Sequence, residues 1–125
     1  MYPAELKYTN DHEWIRLAGD QGQVGITDYA QKQLGDVVYV ELPEVGRTVS
    51  QGEALGTIES VKAVSEIFAP VSGEIVEINA ALKDSPETIN SDPHGVWMVT
   101  IRLAHPAETA ALLDSTQYAD VVKQE

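Results

Sequence analysis

Glycine and proline divide this chain into short segments that are rich in β-branched residues. The runs with the strongest strand character are QVGIT (23–27), VVYVEL (37–42), EIVEI (74–78) and WMVTIRL (97–103). Each run is too short for a typical helix, and each lies near a glycine or a proline, which interrupt regular structure. The spacing therefore predicts a mainly β protein built from many short strands rather than a helical bundle.

Alternation within the runs predicts which side chains share a face of the sheet. Val24 and Ile26 are expected on one face of the first run. In the second run, one side is predicted to carry Val38, Val40 and Leu42, and the other to carry Val37, Tyr39 and Glu41. In the last run, the residues predicted to face inward are Trp97, Val99, Ile101 and Leu103. The residues predicted to face outward are Met98, Thr100 and Arg102.

Two helical segments are also predicted. A short helix is expected over DYAQKQL (28–34), because Thr27 or Asp28 can cap its start and Gly35 can end it. The chain from 106 to 123 is helix-prone, and Ser115 is predicted to cap its second part.

The length and order of these elements predict a single domain over 1–125. Its β core is expected at about 12–103, and a C-terminal helical cover at about 106–122. Strands followed by helices favour an antiparallel core with helices packed on one side.

Charge and composition exclude several classes of partner and of site. Twenty acidic residues against eight basic residues give a formal net charge of −12, which argues against binding to nucleic acid or to anionic membranes. The chain has no cysteine, so disulfides and thiolate metal sites are excluded. No apolar run approaches the roughly 20 residues of a membrane span, and the first residues lack the pattern of a secretory signal. A cytoplasmic protein, or a matured protein of an organelle such as the mitochondrial matrix, is expected.

Motifs of a freestanding active site are absent from the sequence. His12, His94 and His105 have no helical metal-ligand spacing, so no metal site is expected. The chain also lacks the nucleophile elbow G-x-S-x-G and the glycine patterns of nucleotide-binding loops. The sequence therefore offers little support for a freestanding active site.

Lys62 is a single cation within the mostly apolar run IESVKAVSEIFAPVSG (58–73). An ordinary surface lysine is the default interpretation. A Schiff-base nucleophile would need a lowered pKa, and the neighbouring Glu59 and Glu66 disfavour that because they stabilise the charged amine. A covalent attachment site would need an exposed, uncrowded amine at a turn. The residues alone leave these three interpretations open.

The segment ESVKA (59–63) resembles the lipoyl-lysine motif of the H protein of the glycine cleavage system. Further segments that resemble this family in order and spacing are YTNDHEWIR (8–16), VGITDYAQKQLGDVVYVELPEVG (24–46), APVSGEIVEIN (69–79) and DSPETINSDPHG (84–95). The similarity extends over roughly residues 5–122, which is nearly the whole chain. Biotin carriers and the lipoyl domains of 2-oxoacid dehydrogenases are less similar, because their residues next to the modified lysine usually differ.

The resemblance implies a lipoyl-type flattened barrel-sandwich, or hammerhead, with Lys62 at the tip of a hairpin. It implies that lipoate is attached to Lys62 in amide linkage, within a modification motif that comprises Glu59, Ser60, Val61 and Ala63. It also implies a cleft that receives the lipoyl arm. The residues that the motif positions assign to this cleft are Asp11, Glu13 and Glu66.

Three departures from the family pattern concern this cleft. Asp11 stands where related sequences often have serine, and Tyr29 stands where they often have histidine. The segment DPHGVWM (92–98) is shorter than the usual family loop by about one residue. These departures concern the polar details of the cleft and the shape of one loop, whereas the attachment site is unaffected.

The resemblance also implies a set of partners and a function as a cofactor carrier that is not itself an enzyme. A swinging lipoyl arm would shuttle the aminomethyl intermediate of glycine breakdown, as part of one-carbon metabolism. The implied partners are a pyridoxal-phosphate glycine decarboxylase, a tetrahydrofolate-dependent aminomethyltransferase, dihydrolipoamide dehydrogenase and a lipoate-attaching enzyme. A monomer is expected, because a small acidic shuttle works best alone. Two alternatives stay open: a lipoyl-relay protein that supplies lipoyl groups to other enzymes, and an unmodified β-sandwich binding module.

Overall fold

A computed structural model describes residues 2–124 and contains two antiparallel β-sheets. The strands in chain order are β1 Lys7–Tyr8, β2 Glu13–Ala18, β3 Gln21–Ile26, β4 Val37–Glu41, β5 Thr48–Val49, β6 Ala54–Ser60, β7 Val64–Phe68, β8 Gly73–Ile78 and β9 Val99–Leu103. The larger sheet has the order β1-β2-β3-β9-β8-β5, and the smaller sheet has the order β4-β6-β7. The prediction of a mainly β protein with short strands is confirmed.

The main hydrophobic core lies between the two sheets. Residues of both sheets fill it, including Val24, Ile58, Ile75 and Ile101, and Leu82 from a connecting segment joins them. The predicted orientation of the first run is confirmed, because Val24 and Ile26 are both buried. Each fully buried aliphatic side chain of this kind contributes roughly 1.5–3 kcal/mol to folding. The apolar face of each sheet therefore holds the other sheet in place.

Strand β4 departs from regular alternation. Val37 and Val40 are both buried, whereas Val38 and Tyr39 are 53% and 50% exposed. The prediction that Val38 shares a face with Val40 is wrong. The cause is a register shift between Val37 and Tyr39 in the pairing of β4 with β6, because one extra residue in a bulge reverses the faces that follow.

The predicted outward orientation of Met98 is also wrong, because its side chain is buried. Met98 precedes β9 and enters the main core, whereas the neighbouring Trp97 packs against a second hydrophobic cluster. Thr100 lies on the face opposite Val99 and Ile101, as predicted, and is buried there between Gln23 on β3 and Glu77 on β8. The outward prediction holds for Arg102, which is exposed.

The predicted first helix is confirmed as α1, Asp28–Leu34. Thr27 is the N-cap, and its hydroxyl accepts a hydrogen bond from the Ala30 backbone N–H at 3.2 Å. The helix ends at Gly35, which adopts a φ of 81° that few other residues tolerate. The sequence signals at both ends of this helix were therefore sufficient.

The C-terminal helical cover is present as a 3-10 helix, Pro106–Ala111, and as α3, Ser115–Gln124. The prediction that Ser115 caps the second part is wrong, because Asp114 holds that position. The Asp114 carboxylate accepts a hydrogen bond from Gln117 N at 2.8 Å, and the Gln117 side-chain oxygen accepts one from Asp114 N at 3.0 Å. This reciprocal pair is a capping box.

The segment between β8 and β9 contains a 3-10 helix, Ala80–Lys83, and a short helix α2, Thr88–Ser91. Neither element was predicted from the sequence. No helix within residues 2–124 has the length and apolar character needed to cross a membrane.

A second hydrophobic cluster attaches α3 to the N-terminal segment. Its fully buried members are Leu6, Tyr8, Trp14 and Tyr118. The Tyr118 hydroxyl lies 2.7 Å from Thr27 Oγ1 and 2.8 Å from His12 Nδ1. One buried side chain of α3 therefore connects the start of α1 to the loop before β2.

We predict that Tyr118→Phe lowers the free energy of unfolding by about 1–3 kcal/mol, because it removes a buried hydroxyl that bonds Thr27 and His12. Urea unfolding followed by circular dichroism measures the change. The control is Tyr39→Phe, since Tyr39 is half exposed and its hydroxyl change should stay within about 0.5 kcal/mol. Equal stability of the two variants would contradict the prediction.

Candidate functional site: the lysine hairpin and its cleft

Lys62 lies at the apex of the hairpin formed by β6 and β7. Glu59 pairs with Val64, and the Ser60 N–H donates a hydrogen bond to the Ala63 carbonyl at 2.8 Å. Val61 and Lys62 form the two-residue turn between them, and both are exposed. None of the ion pairs found among residues 2–124 involves Lys62. Its amine is therefore presented to solvent at the end of a paired strand.

The Ser60 side chain closes the apex of the hairpin. Its oxygen accepts hydrogen bonds from the backbone N–H groups of Lys62 at 3.3 Å and of Ala63 at 3.0 Å. The turn contains neither Asn-Gly nor Asp-Gly, the usual sequences of a tight hairpin turn. Ser60 thus fixes the backbone on both sides of the turn.

The residues that follow α1 support the hairpin apex from one side. The Val61 N–H donates to the Asp36 carbonyl at 3.1 Å, and Val37 pairs with Ser60. Since β6 lies between β4 and β7, the strand that leads to Lys62 is hydrogen-bonded along both edges. Asp36 and β4 therefore support the apex in addition to the two strands of the hairpin itself.

Asn90 on α2 secures this support, and sequence reasoning missed it. Its side-chain oxygen accepts from the Val37 N–H at 2.9 Å. Its amide nitrogen donates to the Gly35 carbonyl and to the Gln31 side chain, both at 2.9 Å. An asparagine outside any recognised motif gives no local signal for such a role, because its partners are more than 50 residues away in the chain.

Gly35 leaves space for the stem of Lys62. A Cβ atom at this glycine would lie 3.3 Å from Lys62 Cε and 3.9 Å from Nζ. The lysine stem therefore runs across the C-terminal end of α1. The end of a helix that carries the free carbonyl groups is compatible with a nearby cation.

A cleft of about 300 Å³ opens between α1 and the free edge of β7, next to the lysine hairpin. Its lining includes apolar side chains of both elements together with two of the three predicted cleft residues. The lining residues are Asp11, His12, Ile26, Ala30, Gln33, Leu34, Ala63, Val64, Ser65, Glu66 and Ile67. Tyr29, beside the cleft, packs its ring against His12 with 4.6 Å between the ring centroids. Asp11 and Glu66 are both exposed and lie in this cleft.

The third predicted cleft residue, Glu13, is not part of this lining. It is 1% exposed, and one of its carboxylate oxygens accepts a hydrogen bond from the Thr9 hydroxyl at 2.6 Å. The other oxygen accepts from the Phe68 N–H at 3.2 Å, at the end of β7. Glu13 therefore connects the larger sheet to the edge strand of the smaller sheet.

Burial raises the pKa of the Glu13 carboxyl to about 7, although the hydrogen bonds from Thr9 and Phe68 act in the opposite direction. The negative charge of Asp11 adds to the increase. Removal from water penalises the charged form more than two hydrogen bonds stabilise it. Glu13 therefore titrates close to neutral pH.

Two sheets with a single exposed lysine at a braced hairpin apex define a barrel-sandwich protein of the lipoyl type. A profile of the family described as Glycine cleavage H-protein matches residues 6–125. The chain belongs to this family, as the resemblance implied.

Individual relatives agree with this assignment. The chain is 53% identical over 124 residues to the glycine cleavage system H protein of Anaeromyxobacter sp. (strain K), with coverage of 98% of this chain and 97% of the relative. It is 55% identical over 121 residues to that of Burkholderia cenocepacia, with coverage of 96% of both. The crystal structure of a glycine cleavage system H protein from Mycobacterium marinum superimposes with a TM-score of 0.88 at 45% identity, covering 95% of this chain and 97% of that chain. This likeness supports the predicted barrel-sandwich fold directly.

We predict that Ser60→Ala speeds hydrogen exchange at the Lys62 and Ala63 amides about two- to tenfold, because both lose the oxygen that accepts their hydrogen bonds. NMR-detected exchange resolves these amides. Ser65→Ala is the control on the same hairpin, since the Ser65 hydroxyl makes only a long contact of 3.5 Å to the Glu66 carbonyl. Equal exchange rates in both variants would show that Ser60 does not fix the turn.

A second prediction concerns Glu13 and pH. Because its pKa is raised from 4.5 to about 7 in the folded protein, the folded state binds the proton more tightly than the unfolded chain does. Its contribution is complete below about pH 4.5 and is lost as the pH rises through about 7, at a cost of up to roughly 3 kcal/mol. Relative to Glu13→Gln, the wild type should therefore lose stability between pH 5 and pH 8. Urea titrations of both proteins across this range measure it, and a constant difference would exclude the raised pKa.

Proposed function

We propose that this protein is a lipoyl-lysine carrier, with lipoate attached to Lys62, and that it shuttles the aminomethyl unit of glycine decarboxylation. Its partners in this proposal are a glycine decarboxylase, an aminomethyltransferase and dihydrolipoamide dehydrogenase. The observation that supports it most directly is the exposed Lys62 at the hairpin apex, beside a cleft of about 300 Å³. Membership of the glycine cleavage H-protein family supports the same role.

The residues around Lys62 suit a lipoyl group. The amine is exposed, and the neighbouring cleft offers apolar walls from Ile26, Leu34 and Ile67 for a hydrocarbon chain. Lipoate, when bound, would supply a disulfide that can carry the aminomethyl group on one sulfur, and its reduced dithiol form would need reoxidation. The lysine stem and the lipoyl chain together reach on the order of 14 Å when extended, from ordinary bond lengths.

The protein itself holds Lys62 in position and places charged side chains near it. The braced apex holds the Lys62 backbone at a fixed place, so that only the side chain needs to move. Asp11 and Glu66 place negative charge at the cleft and favour an amine there. Glu13 anchors the end of β7 by accepting a hydrogen bond from the Phe68 N–H. The bond-making chemistry takes place in the active sites of the partner enzymes.

The acidity of the chain fits repeated encounters with several partners. A net charge of −12 attracts a basic surface around an enzyme's active-site entrance and speeds association at low salt. Tethering then keeps the intermediate local, so that each transfer does not depend on free diffusion. We place this cycle in the cytoplasm.

The proposal predicts a single lipoyl addition at Lys62. Wild-type protein incubated with lipoate, ATP and a lipoate-attaching enzyme should gain one lipoyl increment in intact mass, and peptide mapping should locate it at Lys62. Lys62→Arg should gain none, because the guanidinium is not acylated, whereas Lys83→Ala should be modified as fully as the wild type. The lipoylated protein should then support glycine-dependent exchange of carbon dioxide with the decarboxylase.

Different outcomes contradict different parts of the proposal. Failure of the wild type to gain any lipoyl group would indicate an unmodified binding module instead. Modification at Lys62 without glycine-dependent exchange would contradict the shuttle role and favour the lipoyl-relay role.

A further inference from the structure

Most of the large exposed apolar side chains of residues 2–124 lie around the lysine hairpin. The exposed large apolar residues are Leu17, Val38, Tyr39, Val45, Val61 and Val64. Four of these six, namely Val38, Tyr39, Val61 and Val64, adjoin the apex, and we call them the apex patch. Val61 and Val64 are 71% and 64% exposed. A cluster of this kind on an otherwise acidic protein indicates an interaction surface.

Strand register places two members of the patch, Tyr39 and Val64, on one face of the smaller sheet. Tyr39 pairs with Glu59, and Glu59 pairs with Val64, so these three side chains form a row across β4, β6 and β7. The face is the outer one, because Val40 and Ile58, which alternate with this row, are buried in the core. Val61 lies at the end of the row, in the turn that carries Lys62.

The bulge in β4 enlarges the patch. Regular alternation would place Val38 on the side opposite Tyr39, but the register shift leaves both exposed. Exposing a valine in this way forgoes the stabilisation that its burial would give. Bulges of this type commonly redirect a side chain next to a functional site.

Acidic side chains surround the apex patch. Glu59 lies inside the row, and Asp36, Glu41 and Glu66 are exposed around it. Glu41 and Glu66 flank Thr57 in the next row of the same face. A complementary partner surface therefore carries an apolar depression with lysine or arginine at its rim.

We propose that the apex patch is the docking surface for the enzyme that acylates Lys62. This inference rests on the proposed function and specifies the partner that must approach the hairpin most closely. The acylating enzyme has to bring its reactive centre to Nζ, at the end of a stem only about 6 Å long by ordinary bond lengths. Partners that act on the end of a lipoyl arm can work from on the order of 14 Å away and need not contact the patch.

The covalent step defines what the docked enzyme delivers. The neutral Nζ amine attacks the carbonyl carbon of a lipoyl adenylate, which is a mixed anhydride of lipoate and AMP. An amide bond forms, the anhydride C–O bond breaks, AMP leaves with its electron pair, and one proton passes to solvent. No oxidation or reduction occurs. Docking must hold Nζ within bonding distance of that carbonyl while the amine loses its proton.

The test compares two double variants as substrates of a purified lipoate-attaching ligase with lipoate and ATP. Val38→Thr combined with Tyr39→Thr removes apolar surface from the patch but leaves Lys62 and the cleft lining unchanged. Leu17→Thr combined with Val45→Thr is the matched control, because it alters two exposed apolar residues outside the patch. Threonine retains a high preference for strands, so both proteins should fold with similar unfolding midpoints.

We expect the patch variant to raise the KM for the acceptor protein about tenfold, with kcat changed less than twofold. The control variant should match the wild type. Non-enzymatic acylation of Lys62 by a small activated ester should be equal in all three proteins, because the amine itself is unaltered. Once fully lipoylated, the patch variant should support carbon dioxide exchange with the decarboxylase at the wild-type KM.

Several results would overturn the inference. An unchanged ligase KM for the patch variant, or an equal increase in the control, would show that the patch is not the docking surface. Slower non-enzymatic acylation would attribute the effect to altered presentation of the lysine. A tenfold rise in the KM of the decarboxylase alone would assign the patch to that enzyme. Wild-type protein that is not acylated at Lys62 would instead contradict the proposed function itself.

Discussion

The hydrogen bonding that fixes the apex of the β6–β7 hairpin is the constraint on which the rest of the account depends. The Ser60 hydroxyl holds the turn from within, and the bond from the Val61 N–H to the Asp36 carbonyl holds it from outside. Asn90 in turn fixes the segment that carries Asp36. A swinging arm benefits from such a base, because order in the backbone leaves the conformational freedom in the side chain and its attached group. The apex patch needs the same rigidity, since a docking surface that moved relative to Lys62 could not align the amine.

The ends of a helix were predictable from the sequence wherever one residue type determines the local backbone conformation. Thr27 and Gly35 marked the two ends of α1, because capping depends on the immediate neighbours. The first strands followed from alternation for the same reason. The prediction failed at Val38 and Met98, where pairing with other strands or entry into the core overrides the local period. A bulge changes which face a side chain occupies without leaving any mark in composition.

The candidate site was predictable only in part. The position of Lys62 followed from the resemblance over nearly the whole chain, whereas composition alone left three interpretations of this lysine open. Asp11 and Glu66 line one cleft because the loop before β2 lies close to β7. No spacing in the sequence encodes that proximity. The burial of Glu13 and the contacts of Asn90 are likewise tertiary. Long-range contacts of this type become visible only once the sheets are assembled.

Backbone relaxation of ¹⁵N-labelled protein tests the central claim most directly. If the apex is a rigid base for a mobile side chain, the amides of Val61, Lys62 and Ala63 should have order parameters of about 0.85, close to those of the paired residues in β6 and β7. The Lys62 side-chain methylenes should relax as a mobile chain in the same sample. Order parameters below about 0.6 at the three apex amides would show a flexible loop and would contradict the account.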